Sequence, residues 1–206
     1  MTRWSLAALL ALLVACAGPP QDEPALLEST ELVDALRSGG HVLLVRHTET
    51  SRGGIDSLTT LGDCTAQRPL TDRGRQDARA LGEALRQLAV PVGRVVASPF
   101  CRTVETAVLA FGETETDDAL LALASVGDDG APAQDRTLDA ARALVLQPPP
   151  EEANTVLVGH VSTIGPLTGS SPAEGGTVVL RAVDGELVVV AEVPPGGWQE
   201  LAAEVG

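Results

Sequence analysis

Two of the three histidines in this 206-residue chain stand directly after short apolar runs: His47 after VLLVR and His160 after VLVG. A third run, RVVA at 94–97, leads into Ser98-Pro99-Phe100-Cys101-Arg102. A neutral imidazole nitrogen is a nucleophile near neutral pH. A guanidinium grips phosphate or carboxylate with two parallel N–H donors. All 14 basic residues are arginine and lysine is absent. Taken singly, each of these side chains reads as a hydrogen-bonded loop residue or a solvated charge. Their recurrence after three apolar runs points to one crevice holding Arg46, His47, Arg102 and His160.

The runs themselves read as strands buried on both faces, because they are continuously apolar rather than alternating. They are His41 to Val45, Arg94 to Ala97 and Thr155 to Val158. Between them lie helical patterns at Glu28 to Arg37, Thr71 to about Ala89, Arg102 to Ala110 and Asp135 to Leu146. Ser29 or Thr30 is placed to cap the first of these, and Gly39-Gly40 to stop it. Thr177 to Ala182 and Leu187 to Val193 flank Asp184-Gly185, a hairpin signal. This alternation predicts an α/β fold: a three-layer sandwich with a mainly parallel central sheet, an antiparallel portion near the end, and helices on both faces. In such sheets ligands bind beyond the carboxyl ends of the strands, where the runs deliver their reactive residues. Thr48 to Pro69 reads as a long polar loop, of a length that usually serves function or stays disordered. Ala119 to Val126 reads equally as strand or helical turn.

Composition narrows the function classes. Apolar residues make up 44% and charged residues 20%, as in an ordinary globular domain. Aromatics are 2%, with no tyrosine, and the net charge is −14. A nucleic-acid partner is therefore not expected, since base-stacking platforms are lacking and phosphate backbones are repelled.

Four ordered stretches resemble the histidine phosphatase superfamily, which includes phosphoglycerate mutases: VLLVRHTET (Val42 to Thr50), RPLTDRGRQDARALGEAL (Arg68 to Leu85), VVASPFCRTVETA (Val95 to Ala107) and VLVGHVSTIG (Val156 to Gly165). The resemblance implies that His47 is the nucleophile and forms a phosphohistidine. It implies that Arg46 and Arg102 hold the phosphoryl oxygens, and that His160 donates to one of them. The implied chemistry uses no metal or other cofactor. The expected activity is hydrolysis of small phosphate monoesters, a phosphoric monoester hydrolase. The chain offers less lid sequence than a mutase uses. A non-catalytic phosphoester-binding or envelope-interaction protein on the same fold is the alternative.

Thr48 stands where the family often has glycine, and its hydroxyl is a candidate phosphate contact. The family's proton donor usually follows the second motif, where Glu113, Glu115, Asp117, Asp118, Asp128 and Asp129 are the candidates. Glu105 is expected to face away from the site. Arg52 and Arg68 are candidate additions to the phosphate pocket, with helix entry an equal role for Arg68.

Residues 1–15 read as a signal peptide: one positive charge at Arg3, then an apolar run from Leu6 to Ala15. Leu13-Val14-Ala15-Cys16 resembles the lipobox of bacterial lipoproteins, which implies lipidation of Cys16. Residues 16–27 would tether a domain at 28–206, extracytoplasmic and lipid-anchored to a bacterial membrane. Ordinary secretion is the other reading of the same segment. Cys64 and Cys101 remain. Outside the cytoplasm such a pair persists as a disulfide or stays as two packed thiols.

Overall fold

The computed structural model describes residues 26–126 and 131–205. The leader, the lipobox with Cys16, and Asp128 and Asp129 lie outside the described residues.

One six-stranded sheet organises the molecule, in the order β3-β2-β4-β1-β5-β6. Its strands are β1 (Val42–Arg46), β2 (Val92–Ala97), β3 (Glu115–Thr116), β4 (Asn154–Gly159), β5 (Thr177–Val183) and β6 (Glu186–Val193). β3, β2, β4 and β1 run parallel, and β5 and β6 are added antiparallel as a hairpin. The Asp184-Gly185 turn takes positive φ at both residues (51° and 83°), as a tight hairpin requires.

The continuous apolar character of β1 and β4 follows from cover on both faces. On one side Leu43, Val45, Val156 and Val158 meet helices α1 (Ser29–Arg37), α2 (Asp72–Gln87), α3 (Cys101–Phe111) and α7 (Gly197–Val205). On the other, Val42, Leu44 and Leu157 meet α5 (Ala131–Val145) and α6 (Val161–Thr168). The three-layer α/β architecture expected from the sequence is present.

Several local expectations differ. The N-cap of α1 is Glu28, without a side-chain cap bond, not Ser29 or Thr30. Of the two readings of Ala119 to Val126, the helical one holds: a 3₁₀ turn at Asp118–Leu120 is followed by the short helix α4 (Leu123–Val126). Helices α6 and α7 were not expected. Pro166 inside α6 disguises it, and α7 is recognisable by Trp198, which is 1% exposed and donates from Nε1 to Thr177 Oγ1 at 3.0 Å.

Two close approaches hold the site's scaffold. Gly82 of α2 lies against the Ala110 carbonyl of α3, where a side-chain carbon would collide with backbone. The loop 48–71 is pinned at its base by Thr71 N–H to Glu49 O at 3.0 Å and by the Thr50–Leu70 bridge.

Candidate active site

The parallel strands deliver their last residues to one edge, and the backbone ladder continues past the strand ends. His47 N–H donates to Gly159 O at 3.1 Å, and Ser98 N–H donates to Val158 O at 2.9 Å. His47 and His160 thereby face each other with ring centroids 5.5 Å apart. Arg102, on the first turn of α3, reaches the same place: its NH2 group donates to His160 Nδ1 at 3.0 Å. Its guanidinium carbon lies 4.6 Å from the centre of the Phe100 ring, an attractive placement for a cation. Arg46 comes from the end of β1 and is anchored by NH1 donation to Pro172 O at 2.9 Å.

Donor and acceptor roles fix the histidine tautomers. His47 Nδ1 lies 3.0 Å from the Thr48 carbonyl, which only accepts, so Nδ1 carries the proton and Nε2 keeps its lone pair. His160 is the reverse. A guanidinium only donates, so Nδ1 of His160 accepts from Arg102, and Nε2–H donates to Ser98 Oγ at 2.9 Å.

Electrostatics keep both rings neutral. Burial, opposed by the Thr48 carbonyl bond and reinforced by the Arg102 charge, lowers the His47 pKa to about 4. Burial first, then the Arg102 charge, push His160 well below the ordinary histidine value. Burial also lowers the pKa of Arg102 to about 10, which leaves it protonated at neutral pH. Among the described residues, the buried Nε–H groups of Arg46 and Arg102 have no hydrogen-bond partner. An unpartnered buried donor costs about 1–3 kcal/mol, more on a charged group. Two such donors beside an unprotonated imidazole nitrogen make a pocket suited to an anion.

Two carboxylates that the sequence reading did not assign complete the site. Glu174 accepts from Thr50 N and Oγ1 at 3.1 and 2.9 Å, and its Oε1 lies 3.6 Å from Arg46 NH2. Asp56, from the long loop, accepts from Arg102 NH1 at 2.7 Å and from Arg68 Nε at 2.6 Å. Glu174 has a topological signal: β5 is antiparallel to β1, so the residues just before Thr177 arrive at the strand-end edge. Asp56 carries none, because irregular loop structure has no period.

The remaining candidates fall elsewhere. Thr48 turns its hydroxyl to Thr106 Oγ1 at 3.2 Å and is 1% exposed, so it is held by packing rather than turned to the pocket. Arg52 is exposed, whereas Arg68 joins the pocket through Asp56. Glu105 pairs with Arg75, away from the site as expected. Glu115 pairs with Arg94 at the sheet edge, and Asp117 caps the Ala119 N–H. Glu113 and Asp118 are exposed, and none of these four is bonded to the pocket groups. Cys64 and Cys101 are joined as a disulfide with Cα atoms 5.7 Å apart. Beside it Gln67 Oε1 accepts from Cys101 N–H at 2.9 Å, satisfying the first amide of α3.

Comparison with known proteins agrees with this arrangement. Residues 42–121 match the family model described as the histidine phosphatase superfamily (branch 1). The chain is 34% identical over 96 residues to the mitochondrial serine/threonine-protein phosphatase Pgam5 of Drosophila virilis, covering 47% of this chain and 30% of that protein. Pgam5 of Drosophila grimshawi gives 34% over 92 residues, 45% of this chain and 29% of that one. The matched region thus spans under a third of the length of these curated relatives. Among solved structures, the protein histidine phosphatase SixA complexed with tungstate superposes with a TM-score of 0.53 at 17% identity, covering 75% of this chain and 97% of that one. A putative alpha-ribazole-5'-P phosphatase from Escherichia coli gives 0.53 at 18% identity, covering 73% and 94%. YhfR of Bacillus stearothermophilus gives 0.54 at 19% identity, covering 73% and 95%. These superpositions show a shared fold, and the stretch 42–121 is similar to the histidine phosphatase superfamily (branch 1).

Proposed function

We propose that the protein is a phosphatase that hydrolyses small phosphate monoesters through a phosphohistidine on His47. The observation that carries this reading is an unprotonated His47 Nε2 in a site with Arg46 and Arg102, whose buried Nε–H groups have no partner among the described residues. Nε2 attacks phosphorus, the N–P bond forms as the ester P–O bond breaks, and the leaving oxygen takes a proton from water, giving the alcohol and a hydroxide that the proton released in the second step neutralises. Water then attacks the same phosphorus, the N–P bond breaks, and phosphate departs with His47 neutral again. Arg46 and Arg102 stabilise charge on the equatorial oxygens, the main requirement of phosphoryl transfer. His160, expected to donate to a phosphoryl oxygen, instead has its N–H on Ser98 Oγ, so it acts on the phosphoryl group through Arg102, which it orients.

In the same reading the mature chain begins at Cys16, is lipidated there, and works outside the cytoplasm. The apolar run before Cys16 supports this, and so does the Cys64–Cys101 disulfide, a bond that persists in oxidising compartments. Membrane fractionation of Cys16→Ser tests it: release from the membrane is expected, and unchanged association with no lipid on the wild type overturns it.

Mixing with ³²P-labelled aryl phosphate, denaturing at alkaline pH and mapping the label tests the chemistry. Label on the His47 peptide is expected, with no label and no turnover in His47→Ala. Near-wild-type turnover by His47→Ala overturns the covalent reading.

A further inference from the structure

We propose that Asp56 is a carboxylate gate: it holds NH1 of Arg102 and covers the pocket that a phosphoryl group takes, and substrate enters by displacing it. The inference rests on the phosphate-pocket reading above.

The carboxylate of Asp56 bridges two guanidiniums, Oδ1 to Arg102 NH1 at 2.7 Å and Oδ2 to Arg68 Nε at 2.6 Å. This is the grip a phosphate would receive, given instead to a side chain of the protein. With Asp56 in place, the His47 side chain is 3% exposed and that of Arg102 is 2% exposed. The His47 ring is therefore almost wholly closed to solvent in that state. The pocket has to open, and Asp56 is the group that stands on its arginine.

The surrounding loop is built for a bounded movement. One end is fixed at Thr50 by Glu174 and by the bridge to Leu70. The other is fixed at Cys64 by the disulfide to Cys101, and at Gln67, whose amide also donates to Thr60 O at 2.7 Å. Between these clamps Asp56 is held by its two ion pairs and by Ser125 Oγ donating to its carbonyl at 3.2 Å, and the adjacent Ile55 donates its N–H to Ala66 O at 2.7 Å and accepts from Thr60 Oγ1 at 2.8 Å. Gly53-Gly54 precedes it. Gly54 has φ +94° and passes so close to the Gln67 carbonyl that no side chain fits.

The exchange favours a phosphoryl dianion. It replaces a single negative charge by two, and brings an oxygen to the Nε–H groups of Arg46 and Arg102, which have no partner among the described residues. Affinity is nonetheless lowered by the fraction of molecules that are shut, because only the open state binds. Removing the carboxylate therefore tightens anion binding. The rival role, in which Asp56 merely aligns Arg102, has the opposite sign: its removal weakens binding.

Isothermal titration of the wild type, Asp56→Asn and Asp56→Ala with inorganic phosphate at pH 8 separates the two, with thermal melts to verify folding. Asparagine keeps the size and the acceptor oxygen, and alanine removes both. A state shut ten times in eleven predicts about tenfold tighter binding once the gate is gone. The KM for an aryl phosphate should fall in parallel. Equal or weaker phosphate binding by both folded variants overturns the gate while leaving the phosphate pocket standing. No phosphate binding by the wild type or by either variant overturns the pocket reading and the gate together.

Discussion

The NH2 group of Arg102 and Nδ1 of His160 lie 3.0 Å apart, and the bond joins a buried cation to a buried neutral ring. It fixes the plane of the guanidinium from within the sheet edge, while Ser98 Oγ holds the opposite ring nitrogen of His160 at 2.9 Å. The chain Ser98–His160–Arg102 therefore aims the arginine at the pocket.

Ser98→Ala should disturb that aim. It leaves Nε2–H of His160 without a partner, at a cost of about 1–3 kcal/mol in stability. The kcat/KM for an aryl phosphate should fall roughly tenfold, and Ser98→Thr should restore most of it. Equal kcat/KM in wild type, alanine and threonine variants would remove the chain from the mechanism.

Arg102→Lys tests geometry against charge. Lysine keeps the cation and loses the planar fork that reaches Asp56 and His160 together. A loss of kcat/KM on the order of 10²-fold is expected, the scale of removing one preorganised donor. Steady-state kinetics check it, and a lysine variant as active as the wild type would mean that charge alone suffices.

Acid should destabilise the protein in a defined window. The His47 pKa is lowered from 6.5 to about 4 chiefly by burial, so between those values the unfolded chain binds a proton that the folded chain refuses. The stability contribution is complete above pH 6.5 and declines as pH falls toward 4, by about 3 kcal/mol at most. His160 adds a loss of the same sign. Urea unfolding of wild type and His47→Asn from pH 7 to 4 should give a shallower decline in the variant. Parallel curves would contradict the assigned tautomer and burial.

The disulfide closes a separation of 37 residues. In the chain-entropy model this is worth about 4 kcal/mol. The double variant Cys64→Ser/Cys101→Ser should lose stability on that scale. It should also lose activity, since the bond joins the Asp56 loop to the helix carrying Arg102. Unfolding and kinetics under reducing and non-reducing conditions give both readings.

Gly82→Ala should destabilise although alanine favours helix. The added carbon meets the Ala110 carbonyl, so α2 and α3 must part. Overpacking of this kind costs about 1–3 kcal/mol, more than the gain in helix propensity of about 1 kcal/mol. A melting temperature equal to or above the wild type would show that the two helices separate freely.

The strands and their chemistry were legible because burial on both faces writes an unbroken apolar run, as at Val42 to Val45 and Val156 to Val158. Reactive residues after such runs inherit their place from the sheet, so His47, His160 and Arg102 could be grouped before any contact was known. Asp56 was not legible, and Glu174 only through the antiparallel turn of the chain into β5. Each is a carboxylate in an irregular loop, indistinguishable by type from the many solvated acids of a chain with net charge −14. What singles them out is the arginine each one meets, across 46 residues for Asp56 and 128 for Glu174. Thr48 shows the converse: its position suggested a ligand contact, and packing against Thr106 decided otherwise.

The ladder bonds from His47 to Gly159 and from Ser98 to Val158 place two site amides inside the most protected part of the sheet. Their protons should exchange with deuterated solvent only when the whole domain opens, on the timescale of global unfolding. The amides between Ser51 and Asp63 lie in the segment that the gate must move, and should exchange far sooner. Isotope uptake would thus divide one pocket into two clocks, a slow one that times the loss of the two histidines' alignment and a fast one that times access to them.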